Sequence, residues 1–312
     1  MRRATWGLLF LAFAFAGCSG KAADHSPSPS PLSLQAQQLR EKGYRALALG
    51  DVARAGTIFE EVRRIAEGLD DRRLVAETLN DLGGIAGRQG HPADALVLHQ
   101  RALGIAHELG DQALKAASLG YLGQAAQLLG NSDEAVDFYR QALLLARELK
   151  DRKLEAIVLN NLGLIQLRQG QHEEAQQSFR QAMALNKELS ERRSLASNLA
   201  NLGSVLEESK QLSEARGYFE QALDLDKELG DPEAVAVDLR RLGGIAELQN
   251  RLEEATGYYE RAYASYIALK QNPKAAEILK RLSRLAKMNG SQDLMADYDS
   301  RLKALLASPV SK

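Results

Sequence analysis

Cysteine occurs once in the 312 residues, at Cys18, so the chain can form no internal disulfide and no multi-cysteine metal site. Aromatic residues make up 5% of it, too few to lay stacking platforms along a nucleic-acid strand. The formal net charge is −1, without the basic excess that phosphate recognition requires, and nucleic acid is excluded as a partner class. Histidine is scarce as well. His91, His99, His107 and His172 lack a partner at helical spacing and a third ligand, so no metal site is expected. No phosphate loop, dinucleotide fingerprint or nucleophile elbow is present. The expectation is a protein with no catalytic residues, no metal and no cofactor, and therefore not an enzyme.

What the chain has in quantity is repetition. The stretch Asp151 to Ser190 recurs with drift along almost everything after the N-terminus. Ala36, Ala76, Ala116, Ala156, Ala196, Ala236 and Ala276 stand 40 apart, as do Leu39, Leu79, Leu119, Leu159, Leu199, Leu239 and Leu279. Gly43, Gly83, Gly123, Gly163, Gly203 and Gly243 form a third column, with Ser283 in the seventh place. A fixed period of this size means a stacked array in which no unit buries its apolar face alone. Within one unit, Ala156, Leu159, Leu162, Gly163 and Gln166 follow three- and four-residue steps along one helix face. Gly170 breaks the pattern, and Ala175, Phe179, Ala182 and Leu185 resume it on a second helix. Each unit is therefore a helical hairpin. The small residues let two axes approach, and Phe179 fills the space between them. Asp71, Asp111 and Asp151 occupy one capping column, and pairs such as Glu173 and Glu174 recur in register, so these carboxylates read as caps and solvated surface.

The set Leu159, Leu162, Gly163, Gly170, Ala175, Phe179 and Ala182 resembles the tetratricopeptide repeat, in the longer-helix form found in Pins-type and rapsyn-like adaptors. The resemblance implies an all-α, right-handed solenoid of six to seven stacked hairpins that binds protein or peptide partners. The expected solenoid runs over 34–307, with repeats near 34–70, 71–110, 111–150, 151–190, 191–230 and 231–270, a worn cap over 271–307 and a tail over 308–312.

Ahead of the array, Arg2 and Arg3 precede an apolar run from Trp6 to Ala16 that is too short to span a membrane, which is the layout of a secretory signal over 1–17. Phe15, Ala16, Gly17 and Cys18 resemble the bacterial lipobox, which implies lipid on Cys18 and a membrane partner. Ser19 is not the aspartate associated with inner-membrane retention, so the expected address is the outer membrane, facing the periplasm. A soluble, secreted or periplasmic protein that acts by regulation or self-association is the alternative. The Ser- and Pro-rich stretch 18–33 reads as a tether.

In the resembled family the first helices of successive units line a concave groove. Positions beside the Leu79 column are then expected to face it: Asn80, Asp81, Tyr121, Asn160, Asn161, Asn201, Arg240, Arg241, Lys280 and Arg281, with Gln124 and Arg284 one turn on. Amides at a constant rise can pair with a peptide backbone. Arginine and lysine gathered toward the C-terminal end, against Glu77 and Asp81 near the start, imply a partner with an acidic segment.

Overall fold

A computed structural model describes residues 30–307. Over that range the chain is helical with short connectors. The helices are α1 (Pro31–Ala48) and α2 (Val52–Gly68), α3 (Arg72–Arg88) and α4 (Pro92–Leu109), α5 (Gln112–Leu129) and α6 (Ser132–Glu148), α7 (Arg152–Arg168) and α8 (His172–Glu188), α9 (Arg192–Glu208) and α10 (Leu212–Leu229), α11 (Pro232–Leu248) and α12 (Leu252–Ala268), and α13 (Asn272–Met288) and α14 (Gln292–Ala307). The expected all-α fold of stacked hairpins is what is observed. The chain divides into two units, Met1–Asn161 and Leu162–Lys312, with the division inside α7. The signal, Cys18 and most of the tether lie outside the described residues, as does the tail over 308–312. Among the described residues no helix is long and apolar enough to cross a membrane.

The connectors share one construction. Each helix ends on a left-handed residue, and the next amide reaches back to the carbonyl five positions earlier, as Asp111 N does to Ala106 O at 3.0 Å and Arg251 N to Ala246 O at 2.8 Å. Glycine fills the left-handed place at Gly110 and Gly170, among others. Lys150, Lys210 and Asn250 take it with φ near 58°, a conformation held by those back-reaching bonds despite the side chain. Asp71, Asp111 and Asp151 then cap the next helix, accepting the amides of Leu74, Leu114 and Leu154 at 2.9–3.0 Å. The same device extends α1 by three residues into the stretch read as tether. Ser30 Oγ accepts the Ser33 amide at 3.1 Å, and Pro31 follows in the first turn, where a missing N–H has no intrahelical partner to lose.

The core is built from the repeated columns, in the same way in both units. Ala76, Ala116 and Ala156 in the first unit, and Ala236 in the second, are fully buried. Against each glycine of the third column stands a ring from the second helix of the same hairpin, 16 residues on. In the first unit these are Phe59, His99 and Tyr139; in the second, Phe179, Phe219 and Tyr259. All are at most 2% exposed. A Cβ built on Gly43 would lie 2.7 Å from the ring of Phe59, and one on Gly203 would lie 2.7 Å from that of Phe219. Burying rings of this size supplies about 1.5–3 kcal/mol each. His99 thus fills the aromatic column. Its buried ring carries a pKa lowered to about 3 by desolvation, so it is a neutral packing group.

Candidate binding face of the first helices

The two columns that follow the buried leucines behave differently, because one residue turns a helix by 100°. The nearer column turns inward in the first unit. Asn80 is 3% exposed, three residues before Gly83 on the stripe that meets α4. Its Oδ1 lies 3.0 Å from His99 Nδ1, and its Nδ2 donates to Ser118 Oγ at 2.9 Å, joining three helices inside the core. Asn160 is buried too, with Nδ2 donating to Asn161 Oδ1 at 3.4 Å. Expected on the groove, both are packing groups.

The second column covers the ring of the preceding hairpin, 22 residues back. Tyr121 stacks on His99 with centroids 5.1 Å apart and planes 7° from parallel. In the second unit, the Arg241 guanidinium lies over Phe219 at 5.3 Å and donates to Ser204 Oγ, and that of Arg281 lies over Tyr259 at 5.7 Å and donates to its hydroxyl at 3.2 Å. Planar groups on the rings keep these side chains half-buried and fixed in direction. Asn161, Asn201 and Gln124 are likewise half-buried. A narrow crevice in the first unit, lined by Ala117, Gly120, Ile157 and Val158, also includes Tyr121 and Asn161.

Asp81 departs from this pattern. Its side chain is 4% exposed and receives Arg40 Nε at 2.8 Å and the Tyr44 hydroxyl at 2.7 Å, while Arg40 also pairs with Glu77. Burial pushes its carboxyl above the usual range and Arg40 pulls it back. The acidic start expected from Glu77 and Asp81 is therefore neutralised within α1 and α3.

The basic end is real but partly compensated. On α11 and α13, Arg281 approaches Glu247 at 3.6 Å and Arg284 pairs with the same carboxylate. Arg240, half-exposed, and the exposed Lys280 and Lys287 stand outside the ion pairs of this face. Glu207, behind Arg240 and Arg241, has its carboxyl raised by burial against the pull of the arginines. Sequence reasoning passed over Arg40, Tyr44 and the Asp226–Asp238 pair. Among the described residues no group of three or more His, Cys, Asp or Glu is placed to hold a metal.

The family model for the tetratricopeptide repeat matches residues 39–108, 112–188 and 193–268. The chain belongs to the tetratricopeptide repeat family. Similar solved structures carry the same fold. BtubC (BKLC) of P. vanneervenii is 22% identical, with a TM-score of 0.58, over 78% of this chain and 93% of that one. The Rap conjugation gene regulator of plasmid pLS20, solved with the Phr* peptide, is 17% identical at a TM-score of 0.63, over 94% and 82%. The pilF protein of Pseudomonas aeruginosa is 25% identical at 0.56, over 78% and 96%. No curated protein matches significantly. In tetratricopeptide terms, the second column after the leucines seats Tyr121, Arg241 and Arg281 on rings of the preceding hairpins, presented by first helices within each unit.

Proposed function

We propose that this tetratricopeptide repeat protein is a non-catalytic scaffold that captures peptide segments of partner proteins on the first-helix face, with an acidic stretch of the partner seated on α11 and α13. The observation that carries the reading is the set Arg240, Lys280 and Lys287, cations outside the ion pairs of a face on which Arg241 and Arg281 are pinned on aromatic rings and Arg284 is paired with Glu247. Fixed guanidinium planes favour paired contacts with carboxylates and lose little side-chain freedom on binding. The Phr* complex of the Rap regulator is a precedent for peptide binding by a structure of similar fold.

Fluorescence anisotropy with a labelled hexa-aspartate peptide tests this. Arg240→Glu with Lys280→Glu is expected to weaken capture about tenfold at low salt, since reversing each exposed charge is worth about 1 kcal/mol or less. The loss should shrink with added salt, because such charges are screened over about 8 Å at physiological ionic strength. Equal capture by parent and variant overturns the reading.

The N-terminal sequence supports a second part of the proposal: a lipid on Cys18 that holds the scaffold at the outer membrane, facing the periplasm, where envelope complexes assemble. At about 0.8 kcal/mol per buried methylene, two or more acyl chains give a stable anchor. Radiolabelled palmitate is expected to mark the protein in bacterial cells and to be lost in Cys18→Ala. Label that survives the substitution refutes the anchor.

A further inference from the structure

The side chains of Asp226 on α10 and Asp238 on α11 meet between two hairpins, at 7% and 2% exposure. One repeat earlier the same places hold Asn186 and Asn198, where Asn186 Nδ2 donates to Asn198 Oδ1 at 2.6 Å. An amide pair makes that bond at any pH. Two carboxyls make it only when one carries a proton, and Asp226 and Asp238 lie close enough for such a bond. Asp238 Oδ2 is buried with no hydrogen-bond partner, a position tolerable for a neutral acid and costly for an anion.

The charged groups around the pair come from three places. Asp231, at the turn between α10 and α11, and Arg193 of α9 act on Asp226; Arg240 and Arg241 of α11 act on Asp238. Glu207 of α9 also acts on those arginines. Burial, then the neighbouring Asp226, raises Asp238 to about 8, and burial raises Asp226 to about 6.

We infer that the Asp226–Asp238 pair is a proton switch for the basic face: the shared proton leaves the positive charge of Arg240 to an acidic ligand, and its loss sets a second negative charge beside that arginine and weakens capture. This rests on the reading of that face given above. Binding and protonation are reciprocal, so an acidic ligand also draws a proton into the pair.

The test uses the full chain and labelled hexa-aspartate, whose carboxylates stay ionised above about pH 6. At constant ionic strength, parent affinity is expected to fall about tenfold from about pH 6 to about pH 8.5, the scale of one added charge near a protein surface. Asp238→Asn can hydrogen-bond to Asp226 and removes the carboxyl raised to about 8, so its affinity should not fall between about pH 7 and about pH 8.5, where the parent's does. Asp226→Asn serves as the second variant if the first does not fold. A parent affinity flat with pH, while Arg240→Glu still weakens capture, overturns the switch and leaves the binding face standing. The same pH slope in parent and Asp238→Asn also overturns it. Absence of capture by the parent at about pH 6 overturns the face and the switch together.

Discussion

Gly163→Ala is expected to lower the melting temperature, Gly163→Leu to lower it further, and Gly217→Ala to raise it. All three replace a glycine inside a helix, and substitution by alanine gains about 0.5–1 kcal/mol of helix propensity wherever there is room. At Gly217 there is room, with nothing within 4 Å of the added methyl. At Gly163 the new Cβ would lie 2.7 Å from Phe179 Cε1 and 2.9 Å from Cδ1, on a ring that is fully buried and so has nowhere to retreat. Overpacking of this kind costs about 1–3 kcal/mol, occasionally more, which outweighs the propensity gain for alanine and leaves leucine at about 3 kcal/mol or beyond. For a unit of this size each kcal/mol moves the midpoint by about 2–4 °C. Thermal unfolding followed by circular dichroism checks the signs, and Phe179→Leu should relieve Gly163→Ala. The chain itself carries a related double change. Where the glycine column holds Ser283, the ring is gone as well, and Ser283 Oγ donates to Asp299 Oδ1 at 2.7 Å instead. Equal melting of parent and Gly163→Leu would mean that the glycine column is not a close contact.

The glycine and alanine columns were legible in the sequence because the period of 40 runs without insertion, so a packing position in one hairpin names its equivalents in all. Phe179, read as filling the space between the two helices, does so, and Tyr259 holds the same place 80 residues on. The same reasoning, carried through, would have found His99: it stands 40 after Phe59 and 40 before Tyr139, and its chemistry as a ligand drew attention from its place in the column. Asn80 and Asn160 were misplaced for a different reason. They adjoin the outward-facing Tyr121-type column in sequence, yet one residue is more than a quarter turn, enough to carry a side chain from the open face to the hairpin interior. The left-handed Lys150 and Lys210 could not be read from residue type, since lysine rarely takes that conformation and only the back-reaching amide holds it there. Asp226 and Asp238 are 12 apart and lie in columns that hold alanine, asparagine, tyrosine or leucine and glutamine, threonine, serine, valine, asparagine or isoleucine elsewhere, so only the packed seam shows that they meet.

Arg40→Met is expected to destabilise the first unit by about 3 kcal/mol at neutral pH, and to do so less in acid. Asp81 sits almost out of water, held by Arg40 Nε at 2.8 Å and Tyr44 Oη at 2.7 Å. Removing one partner of a buried ion pair costs about 3–5 kcal/mol, because the other charge remains desolvated. Arg40 itself is 20% exposed, and water reaching its end of the pair places the loss at the lower end of that range. The sign with pH follows from the carboxyl. Burial already lifts Asp81 above its ordinary pKa against the opposing pull of Arg40, and without the arginine it rises further. A carboxyl whose pKa is higher folded than unfolded favours the folded state when protonated, so the variant should recover stability as pH falls through the raised value. Arg40→Met with Asp81→Leu removes both charges and should recover most of the loss at neutral pH, since apolar replacement of a buried pair is often neutral or stabilising. Chemical denaturation at two pH values across this double-mutant cycle measures the coupling. A loss in Arg40→Met that does not change with pH, or a double variant no more stable than the single, would show that the arginine acts through packing against Tyr44, over whose ring it lies at 5.6 Å, and not through the charge it neutralises.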